Sequence, residues 1–232
     1  MPCSGTTNTP TISATPSPNF LDLPLKIRNN IYKQVLAIPH PLHIFQDPGC
    51  PLEAFAPEKP CFWLALTCVN RLISNETRKI LYSVTQFTLQ EMETTCHQGT
   101  LLESFLNCIG ATNSGILSHL CVNFPAIERL SGASGEIRLT EHGLRRLLLL
   151  RQSCTGLKTL EILIFGQLTS NLFINDQINE FARKIFLEVD AQIRGIAPLN
   201  TIVVRIYTSS IPPVAVREFL QRLGWTVKLG DA

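Results

Sequence analysis

The sequence predicts an α/β fold of mixed layout: N-terminal helices followed by an irregular strand–helix repeat layer with mainly parallel strands. Three observations carry that expectation. First, Leu117-x-x-Leu120-x-Val122-x-Phe124 is echoed by Leu157-x-x-Leu160-x-Ile162-x-Ile164 and by Leu199-x-x-Ile202-x-Val204-x-Ile206, with starts 40 and 42 residues apart. Each copy alternates apolar residues with a more mixed set, the period of a strand with one strongly buried face. Second, the copies are separated by the helical segments "TEHGLRRLLLLRQS" and "NDQINEFARKIFLEVDAQIRGI". Units of strand, helix and strand at this spacing imply parallel strands with right-handed crossovers. Third, the apolar residues before position 90 recur mostly at helical spacing.

The elements follow in order. Twelve of the first nineteen residues are Ser, Thr or Pro, a composition that buries too little surface to offset its ordering entropy, so residues 1–18 read as a disordered leader. Thr9, Thr15 and Ser17 precede prolines there and are possible phosphate acceptors. A helix begins near Pro24, because proline suits a first turn whose N–H lacks an intrahelical partner anyway. Asp22 adds negative charge at the positive end of the helix dipole. Ile27, Ile31 and Val35, with Leu36 beside them, form one apolar stripe. Residues 39–60 contain six prolines and read as a long loop with "HIF" as a short strand. Helix resumes at "FWLALTCVNRLI" and restarts at Ser74 as N-cap for "NETRKILYS"; "TQFTL" is a short strand. These segments, 19–90, form an N-terminal helical unit, and residues 100–232 a repeat-like α/β unit closed by "PPVAVREFLQRLG" and the strand "WTVKL". The apolar rows of the three repeats should face the helices. The opposite face carries His119, Cys121 and Asn123, then Thr159, Glu161, Leu163 and Phe165, then Thr201, Val203, Arg205 and Tyr207.

Bulk properties limit the function classes. The chain has 232 residues, of which 45% are hydrophobic and 16% charged. It is globular and long enough to bury roughly 70–75% of its unfolded surface without a metal or disulfide. A net charge of +2 gives little electrostatic basis for binding nucleic acid. No apolar run of about eighteen residues predicts a membrane span. The N-terminus has neither the basic start nor the apolar stretch of a secretory signal. The eight cysteines are therefore expected as packed thiols in a reducing, intracellular (cytoplasmic or nuclear) setting.

The chemistry-bearing residues form no catalytic pattern. His40, His43, Cys50, Cys61 and Cys68 fall close together, but no Cys-x-x-Cys occurs, and Cys68 is expected in a helix as a core residue. There is no Gly-x-Ser-x-Gly elbow. The loop "SGASG" at 131–135 lacks the Gly-Lys-Ser/Thr ending of a phosphate loop. Glu136, Arg138, Glu141 and Arg145 read as a solvated charge face, and Arg145, Arg146 and Arg151 as snorkelling cations on a buried helix. Asn75-Glu-Thr77 is read as a helix start and not as a glycosylation acceptor. No catalytic, cofactor-binding or metal-binding residue is assigned, and the chain is read as a non-enzyme without a cofactor.

The strand motif is leucine-rich-repeat-like, although its repeat is longer than the usual 20–29 residues. The N-terminal segments resemble F-box-like modules widespread in fungal proteins, in which a Leu-Pro-x-Glu-Ile/Leu-Arg-x-x-Ile-Tyr helix, a variable loop and Thr-Cys-Arg…Glu-x-Arg…Leu-Tyr precede a short strand. Leu23, Pro24, Ile27, Arg28, Ile31 and Tyr32 match the first element, and Thr67, Cys68, Glu76, Arg78, Leu81 and Tyr82 the second. Lys26 stands where the family often has Glu. The resemblance implies an intracellular protein-interaction protein that docks on a Skp1-type adaptor of a cullin ubiquitin ligase and holds a substrate on its C-terminal unit. Leu23, Pro24, Ile27 and Ile31 would form the docking stripe, by the helix-in-groove mode. The alternative is a scaffold whose N-terminal helices pack on its own α/β unit. Exposure of Ile27 and Ile31 separates the two: above about half favours docking, and full burial by the C-terminal unit favours the scaffold.

Overall fold

The structure, a computed structural model, describes residues 19–47, 49–58, 60–91, 101–130, 136–165, 173–174, 177–178, 180–207 and 214–230. The expected leader, residues 1–18, and the "SGASG" loop lie outside them. Among the described residues the fold is mixed α/β. Seven helices are present: α1 Leu25–Leu36, α2 Arg71–Val84, α3 Leu101–Ile109, α4 Ala111–Ser114, α5 Glu141–Ser153, α6 Glu180–Ile193 and α7 Val214–Arg222. Seven strands make the main sheet: β1 Leu42–Phe45, β2 Glu53–Phe55, β3 Gln86–Leu89, β4 His119–Asn123, β7 Thr159–Ile164, β10 Thr201–Ile206 and β11 Thr226–Leu229. Two small hairpins pair β5 Ile127–Arg129 with β6 Ile137–Leu139, and β8 Phe173–Ile174 with β9 Gln177–Ile178.

The sheet order is β11-β10-β7-β4-β3-β1-β2, parallel throughout except for β2, which runs antiparallel at the edge. From β1 to β11 the order follows the chain. Right-handed crossovers in such an order place successive helices on one side of the sheet. The three sequence repeats are its central strands in matching register: Leu120, Leu160 and Ile202 are neighbours, as are Val122, Ile162 and Val204. The backbone repeats the junction as well. Ser118 O accepts from the N–H groups of Lys158 and Thr159, and Lys158 O from those of Asn200 and Thr201. The apolar rows join Leu147, Leu150, Ile185, Phe186, Val189, Val216 and Leu220 of the helices in one hydrophobic core. Cys121, Leu163 and Val203 on the opposite face are buried but lie outside that core.

The residue 90–100 boundary between the two expected units falls inside this sheet, since β3 and β4 are adjacent strands. Tyr32, Leu36, Leu42, Ile44, Phe87 and Leu89 belong to the same core as the repeats.

Local expectations are corrected in three places. The Pro-rich segment contributes a second strand, β2, paired to β1. The helix expected from "FWLALTCVNRLI" is only a 3-10 turn over Ala65–Cys68. α2 starts after Asn70, not at Ser74, because the Asn70 side chain accepts from Ile73 N at 2.9 Å while its backbone is extended. Cys68 is therefore exposed, as are Cys50, Cys61 and Cys108; only Cys121 and Cys154 of the described cysteines are buried. Arg146 is likewise buried and paired to Glu91 at 2.7 Å, whereas Arg145 reaches solvent beside Glu103. Thr77 is buried inside α2 with its hydroxyl on Ile73 O.

Candidate functional site

α1 presents two stripes with different fates. Arg28, Tyr32 and Leu36 are spaced four apart and face the protein, with Tyr32 and Leu36 fully buried. The Arg28 guanidinium meets the Glu76 carboxylate of α2 as a fork, Nη2 to Oε1 at 2.6 Å and Nε to Oε2 at 3.0 Å. The Tyr32 hydroxyl donates to the same Oε2 at 2.9 Å, and the Phe20 ring packs 5.8 Å from that of Tyr32. Arg28 Nη1 also donates to the carbonyls of Leu21 and Leu23 at 3.0 and 2.6 Å. One side chain thus fastens both α2 and the chain entering α1; forked Arg–carboxylate pairs give geometric specificity as well as energy. Arg28, first of all, and the Tyr32 hydroxyl hold the Glu76 carboxyl below its ordinary range, against burial. Burial, then Glu76, pushes the Tyr32 phenol up. The two halves of the family-like pattern, 48 residues apart, meet in this one lock.

One position back along α1, Ile27, Ile31 and Val35 form the second stripe, rotated about 100° from the first. Ile27 is 45% exposed and Val35 42%. Leu23 and Ile31 are partly buried and Pro24 is exposed, capping the helix with its carbonyl on the N–H groups of Ile27 and Arg28. Leu23 and Ile31 do not pack against the hydrophobic core. All four expected docking residues therefore lie on or beside the outward stripe, beginning where α1 begins. Lys26 and Lys33 occupy the opposite flank by the same helical geometry.

A second cluster lies on the sheet face opposite the hydrophobic core. The Glu161 side chain, 5% exposed, accepts from Arg205 Nε at 2.5 Å and from Gln86 Nε2 at 3.4 Å. His119 Nε2 stands 3.7 Å from the same carboxylate, an electrostatic contact rather than a hydrogen bond, and has no hydrogen-bond partner among the described residues. His119 and then Arg205 hold the Glu161 carboxyl below its ordinary range although burial opposes them. Four strands, β3, β4, β7 and β10, are tied through this carboxylate. Cys121 sits beside it, its thiol pushed up to about 12 mainly by burial. It is a packed thiol and not a thiolate nucleophile. At one edge of the face the Phe165 and Tyr207 rings stack at 5.0 Å.

A surface depression beside the β5–β6 hairpin is lined by Glu128, Arg138, Thr140, Glu141, His142 and Arg145. Its charges largely neutralise one another: Arg138 Nε meets Glu128 Oε1 at 2.6 Å, and Arg145 turns to Glu103. Among the described residues no three His, Cys, Asp or Glu side chains converge as metal ligands, and no helix is long and apolar enough to cross a membrane.

Sequence reading found the Ile27–Ile31–Val35 stripe without its direction, and missed the Arg28–Tyr32–Glu76 lock and the Glu161 network. The network had a signal: with the repeats aligned, His119 and Arg205 are diagonal neighbours of Glu161 on one face. Compared with protein-family models, with curated proteins and with solved structures, the chain matches none.

Proposed function

We propose that this chain is a non-enzymatic, intracellular protein-interaction module that docks on a Skp1-type adaptor of a cullin ubiquitin ligase through Leu23, Pro24, Ile27 and Ile31. The single observation that carries the reading is the division of α1. Its Arg28–Tyr32–Leu36 stripe holds the helix on the protein, while Ile27 is 45% exposed, just short of half, and Leu23 and Ile31 are partly buried but are not among the residues packed on the described core. A helix fixed along one stripe and apolar along the next has the form of a helix-in-groove ligand that is ordered before it binds. In this reading the N-terminal helices are F-box-like, and the chain-ordered parallel strands form a leucine-rich-repeat-like layer. Its face opposite the hydrophobic core, with His119, Arg205, Phe165 and Tyr207 partly exposed, presents the substrate surface.

The scaffold alternative is supported by the inward stripe, since Tyr32 and Leu36 lie in the common core. It explains that stripe and gives the outward one no role.

Pull-down and calorimetry with a purified Skp1-type adaptor test the proposal. Ile27→Glu is expected to weaken binding by about tenfold or more while the melting temperature stays near that of the unaltered protein; Ile31 is partly buried, and aggregation of Ile27→Glu and Ile31→Glu would show that the stripe is core and overturn the docking assignment. Failure of the unaltered protein to bind the adaptor, or equal binding by both variants, would leave the scaffold reading in place.

A further inference from the structure

We infer that the cleft between α1 and α2, on the side away from the core, binds an amphipathic helix whose apolar stripe carries carboxylates along one flank. The inference rests on the reading of the α1 stripe as a docking surface and names the chemistry of what docks there. It does not depend on which protein supplies that helix.

The Arg28–Tyr32–Glu76 lock fixes how the two helices are turned. On α1, Arg28 points to α2 and Leu36 to the core, about 80° round the helix axis. Ile27 and Ile31 lie about 100° and 60° to the other side of Arg28. On α2, Glu76 points to α1 and Ile73 to the core, about 60° round the axis. Leu72 and Lys79 lie about 40° and 60° to the other side of Glu76. Both helices pack on one core, so the residues on the far side of the lock border a single cleft. Ile27, Val35 and Leu72 are 45%, 42% and 50% exposed there, and none of them packs on the described core. Lys79 is near enough to Glu76 to help hold its carboxyl down.

The charge beside this cleft is one-sided. Arg71, Arg78 and Lys79 are exposed and fall within about 100° of one another round α2. Glu76, the sole carboxylate of the two helices, is turned to Arg28 and Tyr32. Among the described residues none of the three cations forms an ion pair. Arg71 directly follows the Asn70 cap, where the helix dipole disfavours a cation. The stability of α2 therefore does not account for this charge, whereas a carboxylate-bearing ligand does. Beyond Ile27 the opposite rim carries the uncharged amides Asn30 and Gln34, and Lys26 and Lys33 lie on the far flank of α1. A helix seated in the cleft would lay its apolar stripe on Ile27, Val35 and Leu72. Carboxylates along its α2 side would meet Arg71, Arg78 and Lys79. An anionic membrane surface would meet the cations but could not enter the cleft.

Fluorescence anisotropy of the full chain with two labelled synthetic helices tests this. Both carry one stripe of leucines, flanked on one side by glutamates in the first and by lysines in the second. The glutamate helix is expected to bind at least about tenfold more tightly, an advantage that high salt removes. Arg71→Glu/Arg78→Glu/Lys79→Glu should reverse the preference at an unchanged melting temperature, and no folding defect would favour the lysine helix. Leu72→Asp should weaken the glutamate helix by about tenfold or more. A purified Skp1-type adaptor, titrated against the same variants, separates the two readings. Binding of the glutamate helix but not of the adaptor would sustain the cleft and remove the adaptor; adaptor binding with no preference between the helices would do the reverse. Equal binding of both helices, binding of neither, or phosphatidylserine vesicles bound without competition from the glutamate helix would overturn the inference.

Discussion

At the scale of single residues, two carboxylates decide how much of this molecule is held together by charge. Glu76 joins α1 to α2, and Glu161 joins four strands of the sheet. Buried pairs of this kind add little net stability when formed but cost more when only one partner is removed, since the other charge is left unsatisfied. Glu161→Gln leaves Arg205 facing an amide, and because Arg205 is partly exposed, water recovers some of the loss. The expected cost at pH 7 is about 1–3 kcal/mol, read as a lower urea midpoint at unchanged slope. The pH dependence has a definite sign. His119 and Arg205 hold the native pKa of Glu161 below the ordinary carboxylate value of 4.5. Its contribution is therefore fully present above that value and is lost as pH falls through the lowered native one. The unaltered protein and Glu161→Gln should differ in urea midpoint at neutral pH and converge in acid below pH 4.5. Equal midpoints at pH 7 would show that the carboxylate does not stabilise the sheet.

At the scale of elements, the helix boundaries separate what the sequence revealed from what it concealed. Ser74 and Asn70 are both competent N-caps by residue type. The structure uses Asn70, whose side chain meets Ile73 N, and Ser74 N instead bonds to Asn70 O within the first turn. Asn70→Ala should cost about 1 kcal/mol, whereas Ser74→Ala should be close to neutral or slightly favourable, as alanine is the better residue inside a helix. Thermal melts of the two single variants decide the boundary, and a loss in Ser74→Ala alone would contradict it. The repeats at 117, 157 and 199 were legible because a period of two over eight residues, recurring three times, leaves little ambiguity between strand and helix. β2 was hidden because Glu53, Ala54 and Phe55 are all exposed, so no buried face marks the strand. The α1 stripe Ile27–Ile31–Val35 was visible as a four-residue spacing, but apolarity alone did not show which side of α1 faces the protein. Arg28 and Tyr32 supply the inward side, and their role needed Glu76 brought close from a distant segment. The Glu161 network stayed concealed for a related reason: diagonal pairs exist only once strand register is known.

At the scale of the whole molecule, the sheet and core run through the position where the onset of the repeats suggests a division. β4 is hydrogen-bonded to β3 on one side and β7 on the other. Phe87 of β3 stacks on Tyr82 and packs against Phe105 of α3, linking both sides of the 90–100 segment. A fragment of residues 100–232 would therefore expose the unpaired edge of β4, together with Leu120, Val122 and Phe105 on the side where β3 and α2 had covered them. Exposed apolar edges of this kind recruit other strands. The fragment is expected to unfold without a cooperative urea transition, or to aggregate on gel filtration, while residues 19–232 give a single cooperative transition. If residues 100–232 alone gave a monomeric, sigmoidal transition, the N-terminal segment would be a separable module docked on a self-sufficient α/β unit. In that case the Arg28–Tyr32–Glu76 lock would serve docking geometry alone. If the fragment fails as expected, the same lock contributes to folding. Glu76→Ala should then lower the urea midpoint of the full-length protein as well as loosen α1, and one equilibrium titration reads the result.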